Sequence, residues 1–284
     1  MSLLSSINTN MGATIALESL DSTTSALNGA EKQVSTGYSV ADATDNGAAY
    51  AVAQNVRSDV SALTTANSAL GGVQGLLSTT LSGMNNISNT MSSMRDVLVD
   101  LASASTTGTQ RTQYEEQYNS YLANIKTFVQ DAGYNGATLI GNISGSDGTF
   151  GSTSVVRNEL GSTYGIASYS GSALYTSLVF TSTQLASSTT VQALITNTGT
   201  FVNQQNAVGT ELNTLGSSAT FINNQISYNS DKIDALNNGL GSLVDANLAT
   251  ESALLQSLQV KQELATQSLT VAEQAPSILL KLFQ

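Results

Sequence analysis

Residues 63–101 read LTTANSALGGVQGLLSTTLSGMNNISNTMSSMRDVLVDL, and this stretch carries the longest apolar repeat of the chain. Apolar side chains recur along it in steps of three and four, and Thr80 is the single polar member of the series. The series is Leu63, Ala66, Leu70, Val73, Leu77, Thr80, Met84, Ile87, Met91, Met94, Leu98 and Leu101. This spacing predicts a long coiled-coil helix. Because so narrow a stripe is not stable alone, the helix needs partners with the same period.

Two further stretches carry that period. The longer one has a single polar member, Asn229, and consists of Val208, Leu212, Leu215, Ala219, Ile222, Ile226, Asn229, Ile233, Leu236, Leu240 and Leu243. The shorter one consists of Tyr114, Tyr118, Tyr121, Ile125 and Phe128. The polar turn at 102–112 separates the first seam from the short one, so we expect the helices to alternate in direction. The three seams together predict an antiparallel helical rod.

The remaining segments extend this rod. Residues 1–34 predict an amphipathic helix, and the Gly- and Asp-containing stretch 35–48 predicts a linker. A second helical segment, about 48–63, then leads into the main seam. Residues 137–202 are rich in Gly, Ser and Thr, with apolar runs at 138–140, 154–156 and 174–180 that predict short strands. The predicted fold is therefore mainly α: a long antiparallel coiled-coil rod, with both termini paired at one end and a small β-hairpin region at the other.

Composition excludes several classes of function. The chain of 284 residues has no Cys and no His, so a Ser–His–Asp triad, a Cys–His pair and an HExxH zinc site are all ruled out. A two-carboxylate site would still be allowed, but no cleft-like context surrounds the acidic residues, and we expect a protein that is not an enzyme and has no cofactor or metal. The net charge of −11 argues against binding to nucleic acid. No stretch has the roughly 20 apolar residues of a membrane span, and residues 1–17 lack the basic segment of a Sec signal peptide.

Both chain ends are apolar helices whose exposure a monomer would rarely tolerate. They can pair with each other, or they can be buried between copies of the same chain, and we favour burial between copies. The predicted assembly residues are Leu4, Ile7, Met11, Ile15, Leu255, Leu258, Leu269, Leu279, Leu280, Leu282 and Phe283. Since two helices alone bury only one stripe each, we expect the ends to be disordered or loosely helical in the free monomer and to fold on assembly.

The sequence resembles bacterial flagellin over most of its length. The resemblance is carried by residues 20–77, by MSSMRDVLVDLAS at 91–103, by YNGATLIGN at 134–142 and by residues 244–283. It implies a subunit of the extracellular flagellar filament, exported unfolded by the flagellar type III apparatus. It also implies a terminal core domain of residues 1–44 and 243–284, lining the filament channel, and a surrounding rod domain of residues 45–242, with 137–202 outermost.

The resemblance further implies partners. These are other copies of the chain in a helical homo-polymer, an export chaperone that binds the C-terminal helix, and the junction and cap proteins of the filament. In many flagellins an arginine patch on the main helix is sensed by a Toll-like receptor. Arg95 matches one such arginine, Ser93 replaces another, and the acidic partner would be Glu115 or Glu116, so we expect weak or absent recognition by the receptor. Arg95 and Glu116 are the candidates for a contact with another subunit or with a receptor.

The sequence departs from the family pattern in the linker. Tyr38, Ser39 and the run Thr44, Asp45, Asn46 stand where the family usually carries basic residues and a Lys-Asp-Asp run. Two other functions remain as alternatives to a filament subunit. One is a hook–filament junction protein of the same superfamily, and the other is a secreted coiled-coil effector.

Overall fold

The computed structural model describes residues 10–282, with side chains up to Gln274. Eight helices are described: α1 (Met11–Thr36), α2 (Ala43–Ala102), α3 (Gly108–Gln130), α4 (Gly171–Leu178), α5 (Ser182–Ala186), α6 (Ser188–Leu194), α7 (Thr200–Val244) and α8 (Leu248–Leu282). Five short strands lie between α3 and α4: β1 (Gly133–Tyr134), β2 (Ala137–Thr138), β3 (Thr149–Phe150), β4 (Thr153–Val156) and β5 (Thr163–Ile166). The predicted mainly α fold with a small β region is confirmed.

The chain divides into two compact units. One unit contains the terminal segments, up to Ser58 and from Ala235 onward, and the other runs from Asp59 to Asp234. We refer to them as the terminal unit and the central unit.

The main seam of α2 lies in the core of the central unit. Eleven of its twelve predicted members are buried, and Val73 is half-buried. Thr80 is fully buried, and its hydroxyl donates to the carbonyl oxygen of Leu76 at 2.8 Å, so this polar member is satisfied within its own helix. The heptad spacing therefore identified the buried face of α2 along the whole stretch.

The shorter seam, on α3, and the other long seam, on α7, supply the partners of α2. On α3 the buried residues are Tyr118, Leu122, Ile125 and Val129, and on α7 they include Phe201, Val208, Leu215 and Ile222. Asn229 of α7 is also fully buried; its amide donates to Asn67 Oδ1 at 2.8 Å and to the carbonyl oxygen of Arg157 at 3.0 Å. The series on α7 shifts by one residue at its end, where Val244 is buried and Leu243 is exposed.

The segment after α3 packs onto α2 where α2 carries glycine. A Cβ atom at Gly83 would lie 3.1 Å from Ala132 Cβ and 3.3 Å from the carbonyl oxygen of Phe128. Beyond it, β1 and β2 form a hairpin through Asn135 and Gly136, whose φ angles of 49° and 77° are those of a type I′ turn. Asn-Gly is the residue pair that this type of turn favours, because both of its central residues need positive φ.

The strands form two small sheets. In the first, β2 pairs antiparallel with β1 and parallel with β3. In the second, β4 and β5 form an antiparallel hairpin in which Thr153 lies opposite Ile166 and Val156 lies opposite Thr163. Alternation along this hairpin places Val155 and Ile166 in the core.

Part of the predicted β region is helical instead. The apolar run at 174–180 was predicted as a strand, but residues 171–178 form α4. Ser170 caps this helix by accepting a hydrogen bond from the Ala173 amide, and Leu174 and Leu178, four residues apart, are both buried. The prediction was wrong because the buried residues follow the helical period of about 3.6 and not the strand period of 2.

Two helix boundaries also differ from the prediction. The predicted helical segment at 48–63 is helical and leads into the main seam as part of α2, but α2 begins earlier, at Ala43 within the predicted linker, and has one non-helical residue at Asn46. Predicted residues 1–34 correspond to α1, which starts at Met11 in the described part and ends at Thr36, where Gly37 adopts φ 77° as its left-handed cap.

Candidate assembly surface

The two terminal helices pack against each other in antiparallel fashion. Leu27 and Ala30 of α1 are buried against Leu258 and the half-buried Leu255 of α8. Two polar contacts continue the pairing toward the chain ends. Asn10 Nδ2 donates to the carbonyl oxygen of Ala272 at 2.6 Å, and Gln262 Nε2 donates to Thr24 Oγ1 at 3.4 Å. One stripe of each helix is thereby covered.

The terminal helices also expose large apolar side chains. On α1 these are Met11, Ile15 and Leu17, and on α8 they are Leu248, Leu254, Val260, Leu264 and Val271. Val260 and Leu264 are each 56% exposed, and Val271 is 69% exposed. At 100° per residue, Val260, Leu264 and Val271 lie about 150° around α8 from the stripe that contacts α1. A helix that is apolar on two opposite faces has the pattern of one with partners on both sides.

Small side chains shape the region between the exposed stripes. A groove of about 460 Å³ runs between α1 and α8. Its small lining residues are Gly12, Ala16, Ala265 and Ala272, and its large apolar lining residues are Ile15 and Leu264. Beside this groove, Leu264, Gln267, Ser268, Val271 and Ala272 form an open surface on α8. Both features lie in the part of the helix pair nearest the chain ends. The groove between the two helices has the small and apolar lining of a site that receives another helix.

The linkers of the terminal unit hold each other. Tyr38, after α1, forms an isolated antiparallel bridge with Asp245, after α7. The amides of Ser39 and Val40 both donate to the carbonyl oxygen of Val244, at 2.7 and 3.3 Å. The Arg57 guanidinium lies 5.7 Å from the centroid of the Tyr38 ring, which suits a cation–π contact. The linker that follows α1 and the linker that follows α7 are thus joined by backbone hydrogen bonds.

An ion cluster fastens the linker to α1. Lys32 Nζ lies 2.7 Å from Asp42 Oδ2 and 2.8 Å from Asp45 Oδ1. The hydrogen bond from Lys32, followed by those from Thr44, holds the pKa of Asp42 well below its usual range. The same lysine lowers the pKa of Asp45, and its bonds to the two carboxylates raise its own pKa. The departures from the family pattern at 38–46 therefore do not leave this linker without ion pairs.

The predicted assembly residues fall into three groups. Met11 is 49% exposed and Ile15 is 60% exposed, so both are available to a neighbour. Leu258 is buried, and Leu255 and Leu269 are half-buried. Leu258 and Leu255 pack against α1 of the same chain. The others lie outside the described residues or, within α8, outside the described side chains: Leu4, Ile7, Leu279, Leu280, Leu282 and Phe283.

Sequence reasoning missed the outer stripe of α8. The heptad that contains Leu255, Leu258 and Leu269 identifies the face of α8 that meets α1. Val260, Leu264 and Val271 form a second series with steps of four and seven. This second series could have identified the exposed apolar residues from the sequence, because a helix with a single amphipathic face has no need of a second apolar series.

Among the described residues, no hydrogen bond or ion pair joins Arg95 to Glu116. Both are exposed, Arg95 on α2 and Glu116 on α3. Arg95 Nη1 instead donates to Gln205 Oε1 of α7 at 3.3 Å. Their predicted role in subunit or receptor contact stays a prediction.

A metal site or a membrane-spanning helix would be a different kind of functional feature within residues 10–282, which the structure describes. Within that part of the chain, no group of three or more acidic, Cys or His side chains is placed to hold a metal ion. In the same range, no helix has the length and apolar content needed to cross a membrane.

Fold and surface together define a mainly α, coiled-coil structural protein whose terminal helices keep apolar faces uncovered. Comparison with known proteins gives the family. Residues 7–144 match the model of the bacterial flagellin N-terminal helical region. The flagellin FljO of Caulobacter vibrioides is 31% identical over 281 residues, which is 99% of each chain. A flagellin of Brucella melitensis is 30% identical over 299 residues, covering 99% of this chain and all of its own.

The chain therefore belongs to the bacterial flagellin family, and it is a structural subunit of the flagellar filament. A solved structure shares the fold. It is described as a flagellar hook-associated protein from Vibrio parahaemolyticus, and it aligns with a TM-score of 0.55 at 16% identity. The alignment covers 71% of this chain and all of that one. At this identity the likeness concerns the fold alone.

Proposed function

We propose that this flagellin polymerises into a helical filament through the apolar surfaces of its terminal helices. The observation that carries the proposal is the outer stripe of α8. Val260, Leu264 and Val271 are each more than half exposed on a helix whose opposite face is already covered by α1. Burying one such side chain fully contributes about 1.5–3 kcal/mol. A contact that joins different surfaces of successive copies does not close on itself, and it therefore builds a filament.

In this proposal each part of the chain has a place in the filament. Residues 1–44 and 243–284 form the inner tube, residues 45–242 surround it, and residues 137–202 face outward. The exposed apolar residues of α1 and α8 support the inner position, because water-excluding contacts on several sides would cover them. Arg95 and Glu116, both exposed on the central unit, are candidates for lateral contacts between copies or for a receptor.

Export and partners complete the proposed function. The subunit passes unfolded through the flagellar type III apparatus and acts outside the cell, in swimming motility. Before assembly, an export chaperone covers α8, whose outer stripe otherwise meets water. Junction and cap proteins contact the ends of the filament. The role is structural and not catalytic. The whole-chain likeness to flagellins supports the filament subunit over a junction protein or a coiled-coil effector.

Electron microscopy of the purified full-length protein tests polymerisation. Salt is raised from low to moderate concentration, with and without sheared filament seeds. We expect long uniform tubes, forming faster as salt rises, because a net charge of −11 per copy opposes packing and salt screens it over about 8–10 Å. Monomers or short capped assemblies that persist with seeds would overturn the proposal. If moderate salt slowed the growth of filaments, charge repulsion between copies would not be what limits polymerisation.

A further inference from the structure

Two short helices lie against the end of the central unit where α2 passes into α3. They are α5 and α6, and we call residues 181–198, which contain them, the strap. Three side chains are buried within 181–198, all of which the structure describes: Leu185, Val191 and Leu194. A segment with so few buried apolar side chains opens locally at a lower free-energy cost than the long seam of α2. The closed position of the strap therefore depends on other contacts as well.

One arginine joins the strap to α2 and α3. Arg111, in the first turn of α3, donates from Nη1 to the carbonyl oxygen of Leu185 in the strap at 2.6 Å. Its Nη2 donates to the carbonyl oxygen of Leu101 at 2.8 Å, and its Nε donates to that of Thr106 at 3.0 Å. The guanidinium group thus connects the last turn of α5 with the last turn of α2 and with the loop that leads into α3.

The acceptors of these bonds explain why an arginine suits the position. The last carbonyl groups of a helix have no partner within it, and the C-terminal end of a helix attracts positive charge. A guanidinium group is planar and has five N–H donors, so it can serve the ends of two helices at once, which an ammonium group on a lysine stem cannot do in the same way. The strap adds a second bond of this kind, because Gln192 Nε2 donates to the carbonyl oxygen of Ala102, the last residue of α2, at 2.9 Å.

We propose that the strap opens and closes as one piece on the end of the central unit, and that Arg111 is its latch. Opening breaks the bond to Leu185 and leaves those to Leu101 and Thr106 in place. The guanidinium group therefore stays held beside α2, in position to receive the strap again. Helices of five and seven residues are not stable alone, so α5 and α6 lose their own hydrogen bonds when the strap leaves the unit. This device belongs to the single chain and operates whether or not the chain polymerises.

Amide hydrogen exchange of the full-length monomer, followed by mass spectrometry, tests the latch. The amides of Leu185 and Val191 donate within the strap at 3.1 and 3.0 Å and report its closed state. In the unaltered chain we expect residues 182–194 to exchange at least about tenfold faster than residues 84–94 of α2, because the strap opens without the seam. Arg111→Met should speed exchange of 182–194 about tenfold or more again, because a charge-assisted hydrogen bond to the strap is lost. Lys126→Met is the control, since it removes the same charge from α3.

Two outcomes would overturn the proposal. One is equal exchange of 182–194 and 84–94 in the unaltered chain, because the strap would then have no opening of its own. The other is exchange of 182–194 that is no faster in Arg111→Met than in Lys126→Met.

Arg111→Lys separates the fork of donors from its charge. We expect it to speed exchange of the strap nearly as much as Arg111→Met does, because the charge remains but the link between Leu185 and Leu101 is lost. Exchange as slow as in the unaltered chain would contradict the latch. If circular dichroism shows that Arg111→Met does not fold, Arg111→Lys takes its place with the same expected result and the same control. All samples are monomeric, so a failure to polymerise is a separate result.

Discussion

The central and terminal units are built from the same kind of apolar repeat, but they cover it to different degrees. In the central unit, Leu77, Met91 and Leu98 of α2 are fully buried. In the terminal unit, α1 and α8 bury one stripe between them and leave Val260 and Val271 of α8 exposed. The difference lies in the number of partners. The face of α2 is covered by α3, α7 and the β4–β5 hairpin, whereas α1 and α8 contact chiefly each other.

This difference separates folding from assembly. A helix with partners on several sides stabilises the monomer through its whole apolar surface. A helix with a single partner retains apolar surface that can be buried only by another molecule. Substitutions at the two kinds of position should therefore affect different measurements.

The largest effect is expected from a charge on the outer stripe of α8. Leu264→Asp should raise the critical concentration for polymerisation by about 100-fold or more, because a carboxylate would be buried between copies without a partner. The unfolding temperature of the monomer should not change, since Leu264 is 56% exposed. Sedimentation of filaments against protein concentration gives the first quantity and circular dichroism gives the second. Glu263→Asp is the control, because Glu263 is exposed and already charged. Normal polymerisation of Leu264→Asp would contradict the assignment of this face.

The reverse result is expected in the seam of α2. Leu98→Ala should lower the free energy of unfolding of the monomer by about 2–5 kcal/mol, because it leaves a cavity among fully buried side chains. Urea unfolding followed by near-ultraviolet circular dichroism is suitable, since most of the tyrosines lie in the central unit. Leu264→Ala is the matched control and should change this free energy by no more than about 0.5 kcal/mol. Equal losses of unfolding free energy in the two variants would contradict the proposed difference between the central and terminal units.

A smaller loss is expected at the buried asparagine of α7. Asn229→Ala should reduce the stability of the monomer by about 1–3 kcal/mol, because Asn67 and the carbonyl group of Arg157 lose their partner. Exposed Asn213 on the same helix provides the control, and Asn213→Ala should have little effect. The same urea experiment measures both. An Asn229→Ala variant as stable as its control would show that the buried amide does not tether the hairpin.

The smallest effect concerns pH and the ion cluster of the linker. The folded-state pKa values of Asp42 and Asp45 are lowered, so their stabilisation is complete above the ordinary carboxyl pKa of about 4 and is lost as pH falls through the lowered values. The pKa of Lys32 is raised, so its contribution is complete below its ordinary pKa of 10.5 and is lost as pH rises through the raised value.

Nuclear magnetic resonance can follow this cluster in the monomer. The amides of Ala41 and Asp42 donate to Asp45 Oδ2 at 2.9 and 3.1 Å, so their signals should move with a midpoint below pH 4. Lys32→Met should shift that midpoint upward, and Lys261→Met on α8 serves as the control. A midpoint unaltered by Lys32→Met would exclude the lysine as the cause of the lowered carboxyl pKa values.

Much of the fold follows from local patterns in the sequence. The heptads of α2 and α7 specify which faces are buried, and Thr80 and Asn229 occupy seam positions despite their polarity. The Asn135–Gly136 turn was also predictable, because few residues adopt positive φ. The helix α4 was not, because an apolar run of seven residues fits either a helix or a strand until its tertiary contacts choose the period.

The assembly surface was predictable only in part. The sequence showed that both chain ends are apolar, but it did not show which apolar residues the monomer uses for itself. Leu258 was assigned to assembly and is buried against α1, whereas Leu264 was not assigned and is exposed. Both lie on the same helix with similar side chains, so only their direction around α8 separates them.

Local patterns are enough to identify a mainly α coiled-coil protein of the flagellin kind, because heptad spacing and paired terminal motifs can be recognised in the sequence. The tertiary fold accounts for three further features. It placed the hairpin as the third partner of α2 and α7, provided Asn229 with partners from distant segments, and divided α8 into a covered face and an uncovered one. Each depends on contacts between residues far apart in the chain, and periodicity says that a face is to be buried without saying what will bury it.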